Sequence, residues 1–139
     1  RPRRYATIRY RATDYAARTM WIGGPIIGLF VIWHLLHLTT GHCHPAGQFA
    51  ADSNGIINVY NSVVIGFMDP AAAAVYILAM LLVGLHLYHG LWSMMQSIGL
   101  NHPGWNHWRR WFAVLFAAFV ALAGISLPVA VLTGFVTPA

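Results

Sequence analysis

The stretch from Met20 to Thr40, MWIGGPIIGLFVIWHLLHLTT, decides the fold. It contains no Arg, Lys, Asp or Glu. About 20 such residues in a helix are enough to cross ~30 Å of hydrocarbon. Two further stretches have the same character, from about Ala71 to Ser97 and from about Trp111 to Val136. A helix apolar on every side belongs in a membrane or a deep core, and not on a protein surface. The whole chain is 58% hydrophobic and 8% charged over 139 residues. A soluble domain carries about 25% charged residues, and one this short has too little interior to hide so much apolar surface. The expectation is a single all-α integral membrane domain over 1–139, with transmembrane helices at about 16–41, 71–98 and 109–136.

The ionic residues frame these spans. All eight basic residues are arginine, against three acids, Asp14, Asp52 and Asp69. Arg1, Arg3, Arg4, Arg9, Arg11 and Arg18 precede the first span, and Arg109 and Arg110 precede the third. The 42–70 loop has no basic residue. By the positive-inside rule the N-terminus and the 99–108 loop are cytoplasmic and the 42–70 loop lies outside. The arginines adjoin apolar runs, so topology explains the +5 net charge better than nucleic-acid binding does. Trp21, Trp105, Trp108 and Trp111 read as interfacial anchors. Pro25 and Pro128 fall inside spans, which membrane helices tolerate. Ala113, Ala117, Ala121 and Gly124 form a small-residue stripe on the third span, suited first to close helix packing and second to a flat cofactor. Asn101-His102-Pro103-Gly104 reads as a turn. In the 42–70 loop, the semi-apolar run from Gly55 to Phe67 suits the membrane interface. The lone Cys43 allows no disulfide within the chain. No signal peptide is visible, and the first residue, Arg1, suggests a fragment of a longer protein.

The histidines carry the functional signal. Four of the eight lie inside spans, as two His-x-x-His pairs: His34 with His37, and His86 with His89. Ionisable groups in the membrane are costly, and each imidazole nitrogen needs a partner that lipid does not provide. Hydrogen bonding between helices is the plain reading; ligation or proton relay is the functional one. The spans lack thiolates and carboxylates, which argues against structural zinc and di-iron carboxylate sites. Imidazoles with flat apolar walls suit a haem with a histidine on each face, a six-coordinate iron that transfers electrons without binding oxygen. Residues three apart lie about 60° apart around a helix. One histidine of each pair can therefore face a haem while the other supports it. Outside the spans, Gly41-His42-Cys43-His44-Pro45 reads as a polar loop, with metal binding the less favoured reading.

Longer stretches then join these histidines. Tyr15-Ala16-Ala17-Arg18-Thr19-Met20 leads into Trp33-His34-Leu35-Leu36-His37-Leu38-Thr39-Thr40-Gly41. Further on come His86-Leu87-Tyr88-His89-Gly90-Leu91-Trp92-Ser93, Gln96-Ser97 and Gly99-Leu100-Asn101-His102-Pro103. Over nearly its whole length the chain resembles the cytochrome b558 membrane-anchor subunit of succinate dehydrogenase and fumarate reductase, the two-haem form of complex II. The resemblance implies a five-helix haem-binding bundle of which this chain holds the last three helices. It implies two b haems, with His34 an axial ligand to the outer iron and His86 to the inner one; by spacing His37 and His89, and by position Arg18, are expected as further cofactor-binding residues. The second ligands would come from helices before Arg1 or from another membrane chain. The alternative of one haem gripped by both His34 and His86 stays open, since both lie roughly 20–24 Å of helix from the nearest cytoplasmic turn.

The implied partners are a flavoprotein subunit holding the succinate site, an iron–sulfur subunit, lipid, and a quinone, menaquinone by expectation. The implied place is the respiratory chain and tricarboxylic acid cycle, in the cytoplasmic membrane of a bacterium. Arg18, Arg109 and Arg110, with His102 and His107, are expected to contact a soluble partner or haem propionates. Two other readings compete: a haem-free proton-relay or transport subunit, and the di-haem cytochrome b anchor of another quinone-linked dehydrogenase, such as formate dehydrogenase or hydrogenase.

Overall fold

The computed structural model describes residues 15–45, 56–100 and 102–139, with the side chains of 15–19 left out. Arg1, Arg3, Arg4, Arg9, Arg11, Asp14, Asp52 and the side chain of Arg18 thus lie outside the described residues. The fold is all-helical. Helix α1 spans Tyr15–His34 and continues into a π-helical turn, Leu35–Thr39. Then come α2 (Val59–Met68), α3 (Pro70–Ser97) and α4 (Asn106–Leu132). Three helical segments, Met20–Thr39, Pro70–Ser97 and Asn106–Leu132, are long and apolar enough to cross a membrane.

The spans match the expected segments, and their ends differ for local reasons. The third helix begins near 106 and not 109, because its polar first turn, invisible to hydropathy, is held by Arg109. It stops at Leu132 and not near 136. There Thr133 N–H bonds to Val129 O, and Gly134 takes the left-handed conformation (φ 76°) that a helix end needs. The expected 42–70 loop contains α2, a helix too short to span. Asn58 caps it by accepting from Asn61 N–H, and its Val64 and Phe67 are buried at 1% and 3% exposure.

Helix α3 starts on Asp69-Pro70. Proline at the first helical position gives up no hydrogen bond, and the Asp69 carboxylate accepts from Ala71 and Ala72 N–H at 3.1 and 3.3 Å. We expect Asp69→Ala to lower stability by about 0.5–2 kcal/mol, and Asp69→Asn to cost much less, since asparagine caps nearly as well. Thermal unfolding followed by circular dichroism in detergent separates the two variants.

Helix α3 is the middle of the bundle. It packs on α1 along one side and on α4 along the other, while α1 and α4 never approach within 8 Å at Cα. The small-residue stripe makes the α3–α4 contact: Ala113, Ala117 and Ala121 are buried, and Gly84 of α3 nests against Ala121. Gly124 admits the Met80 side chain. Without a hydrophobic drive between helices in lipid, such close approach is the main source of adhesion. The small buried core (Val64, Phe67, Ala73, Tyr76 and Val131, with Phe30 and Trp33 packed against it) lies where α2 meets the start of α3 and the ends of α1 and α4. Most other large apolar side chains face outward, as a lipid solvent requires. Trp21, Trp105, Trp108 and Trp111 are among them.

The turn joining α3 to α4 is tied by Arg109, which is 7% exposed. Its Nη1 donates to Leu100 O and, at 2.8 Å, to Asn106 Oδ1, and its guanidinium lies 4.6 Å from the Trp92 ring centroid. This corrects one expectation. Arg109 is folded inward as a clamp, because one planar fork satisfies a helix-end carbonyl and an aromatic face together. Arg110, His102 and His107 are exposed.

Candidate functional site

The first histidine pair meets the tyrosine of α3. His34 Nδ1 and His37 Nδ1 lie 3.0 and 3.2 Å from the same Tyr76 hydroxyl. The π-turn helps bring this about. Thr40 N–H bonds back five residues to Leu35 O at 2.9 Å, which widens the turn carrying His37. Such turns recur at functional sites. His37 is 1% exposed; its ring stacks on Trp33 at 4.9 Å and 6°, and its Nε2 is buried with no hydrogen-bond partner among the described residues.

His44 joins this group. It is 6% exposed, its Nε2 donates to Ser62 O at 2.7 Å, and its ring lies 5.6 Å from His37. The polar-loop reading is therefore wrong for His44, although His42 and Cys43 beside it are exposed. Helix α2 explains the difference, since it supplies the carbonyl and covers the ring. Gly66 of α2 leaves the room: a Cβ there would lie 3.2 Å from both His37 Cε1 and His44 Nε2.

His34 also borders a wedge between α1 and α4, floored by Tyr76 and Met80 of α3. The wedge holds about 490 Å³ and is walled by Phe30, Phe67, Gly124 and Leu127 among others. His34 is half-buried, and with Nδ1 on Tyr76 its Nε2 has no protein partner among the described residues.

The second pair sits elsewhere. His86 lines a separate apolar cleft of about 170 Å³ with Met20, Gly23, Ile26, Leu82 and Leu85. Its Nδ1 is buried and has no hydrogen-bond partner among the described residues. His89 is half-buried and makes no hydrogen bond among the described residues. His86 faces Gly23, whereas His34 faces Tyr76. Eleven residues of α1 and ten of α3 separate the two levels, or ~15 Å along the bundle at ~1.5 Å per residue. Metal–nitrogen bonds are about 2 Å long, so no single iron can be gripped by both. The shared-haem alternative is excluded by this register.

Among the described residues, no group of three or more His, Cys, Asp or Glu is placed to hold a bare metal ion. Imidazoles that line apolar clefts are a different donor set. His34 and His86 each line an apolar cleft, the surroundings in which an imidazole serves a haem iron. An orphaned imidazole nitrogen in lipid is expensive unless something beyond these residues engages it. An imidazole in an apolar cleft is chemically compatible with haem, and this chain places one such residue at each level.

Reasoning from sequence missed Tyr76. The available signal was a hydroxyl in an apolar span, which needs a partner when buried.

The fold and site define an all-α integral membrane protein with two levels of intramembrane histidine. Compared with known proteins, the chain matches no family model, no curated protein and no solved structure.

Proposed function

We propose that this chain is the haem b-bearing membrane anchor of a succinate:quinone oxidoreductase, complex II. The observation that carries the reading is the two-level histidine arrangement. His34 and His86 lie ~15 Å apart along the bundle, each in its own apolar cleft. One imidazole at each of two depths would suit two haems, each completed by a residue from elsewhere. The His-Leu-Tyr-His-Gly-Leu-Trp-Ser run, 86–93, supports the same family.

In this reading His34 holds the outer haem and His86 the inner one. Bound haem b supplies one-electron transfer between an iron–sulfur subunit and a membrane quinone, menaquinone by resemblance. The chain's own residues position and insulate. Tyr76 fixes the His34 ring through Nδ1, the kind of outer bond that orients a ligating imidazole. Phe30, Phe67 and Leu127 keep water from the outer cleft, and Ile26 and Leu82 from the inner one. Only 6% of the most apolar window of the first span is buried, which leaves surface for the two further helices of a five-helix bundle or for another membrane chain. The Arg109 and Arg110 end faces the cytoplasm of a bacterial cell, where the iron–sulfur and flavoprotein subunits dock, and the 41–70 end faces outward.

A relay reading draws on the His34–Tyr76–His37 contacts. It is weaker because no polar chain among the described residues joins this group to His86 and His89. The test is purification of the intact complex. Two b haems per copy of this chain by pyridine haemochrome, with a covalent flavin, support the proposal. A colourless complex turns the assignment to the relay, and molybdenum or nickel turns it to another dehydrogenase.

A further inference from the structure

Two histidines meeting one hydroxyl pose a proton-counting problem. The Tyr76 hydroxyl has one proton to donate and lone pairs to accept. His34 Nδ1 and His37 Nδ1 both lie within hydrogen-bond distance of it. Tyr76 is 5% exposed, its ring is walled by Phe30, Trp33 and Phe67, and its hydroxyl has no third partner among the described residues. If both imidazoles donated, the hydroxyl proton would be buried without an acceptor. If neither carried a proton at Nδ1, one contact would set two lone pairs against each other. Either costs about 1–3 kcal/mol. The arrangement that uses every group has one Nδ1–H donating to Tyr76 and Tyr76 donating to the other, bare Nδ1.

We propose that Tyr76 is a positioning residue that holds His34 and His37 in opposite tautomers, so that the state in which His34 presents a bare Nε2 makes His37 an Nε2–H donor. A neutral imidazole with its proton on Nδ1 has its lone pair on Nε2, the form a metal takes. His34 in that form donates to Tyr76, Tyr76 donates to His37 Nδ1, and the His37 proton must sit on Nε2. That nitrogen is the buried one with no partner among the described residues. Engagement of His34 and the donor character of His37 are thus one choice, and an acceptor reaching His37 favours ligation at His34 by the same amount. The tautomer tie stands on the hydrogen-bond geometry alone; its direction rests on the haem reading.

Nitrogen-15 NMR of histidine-labelled protein in lipid bilayers tests both, with signals assigned from single-histidine variants. The full chain as isolated should show one Nδ1–H and one Nε2–H ring for His34 and His37. The same tautomer on both overturns the tie, and this needs no change at Tyr76. Tyr76→Phe should abolish the fixed pair and leave both rings exchanging between tautomers; an unchanged opposite pair in that variant also overturns it. In the reduced, diamagnetic complex the expected order is Nδ1–H on His34 and Nε2–H on His37, and the reverse order overturns the stated direction. Opposite tautomers in a protein with no haem by pyridine haemochrome support the tie and overturn the haem reading, so the two failures are distinct.

Discussion

A His86→Ala complex should carry one b haem where the parent carries two, and the haem it keeps should be the one held by His34. His34→Ala should do the reverse. The two rings lie at separate levels in separate clefts, so neither can replace the other. Pyridine haemochrome should fall to half per copy of this chain in each variant, and redox titration should show one of two components gone, a different one in each. Loss of haem in His86→Ala is not readily blamed on unfolding. The imidazole is only half-buried and its Nδ1 has no partner among the described residues, so alanine removes an unsatisfied group and little packing. In His34→Ala, Tyr76 keeps His37 as a partner. If both variants keep both haems, these histidines are not the ligands. If either variant loses both, the levels are not independent.

Gly84→Leu should open the α3–α4 contact. A Cβ at residue 84 would lie 3.0 Å from Ala121 Cβ and 3.6 Å from Ala117 O. Neither atom is the free end of a flexible chain, so relief requires the helices to move apart. Overpacking of this kind costs about 1–3 kcal/mol and occasionally more. Gly124 makes the useful contrast. A Cβ there would run into Met80, but Met80 is a flexible side chain with other rotamers, so Gly124→Ala should be milder. Unfolding in mixed detergent micelles, followed by circular dichroism, ranks the variants. A Gly84→Leu protein as stable as the parent would mean that the stripe is not the adhesive surface.

The spans were legible because lipid imposes a simple rule, long runs without charge, and the first span, 71–98 and the third obey it. The stripe at Ala113, Ala117 and Ala121 was legible for a related reason, since small residues at helical spacing have few uses but close approach. Ends were less legible. The polar first turn of α4 is helical because of Arg109, and hydropathy carries no trace of that clamp. Helix α2 was half-visible, as a semi-apolar run whose burial depends on contacts with α3 and α4. The site followed the same division. His34, His37, His86 and His89 stood out by chemistry alone, but their depths did not. Counting residues from the basic turns left one shared iron open, and only the register of α1 against α3 closed it. Tyr76 and His44 entered through tertiary contacts, and the π-turn reflects a backbone choice with no sequence marker beyond the histidines it carries.

The arrangement of α1, α3 and α4 also has a mechanical meaning. Helix α1 comes within 8 Å at Cα of α3 and, by its π-turn, of α2, but not of α4. Pulled from its N-terminal side, such a bundle should not come apart in one event. The first span should peel away at low force, up to the aromatic knot around Tyr76, and leave α3 and α4 as a hairpin that yields later. A force trace of that shape would show that the wall of the outer cleft is a detachable plank laid against a rigid pair, free to be set in place last during assembly.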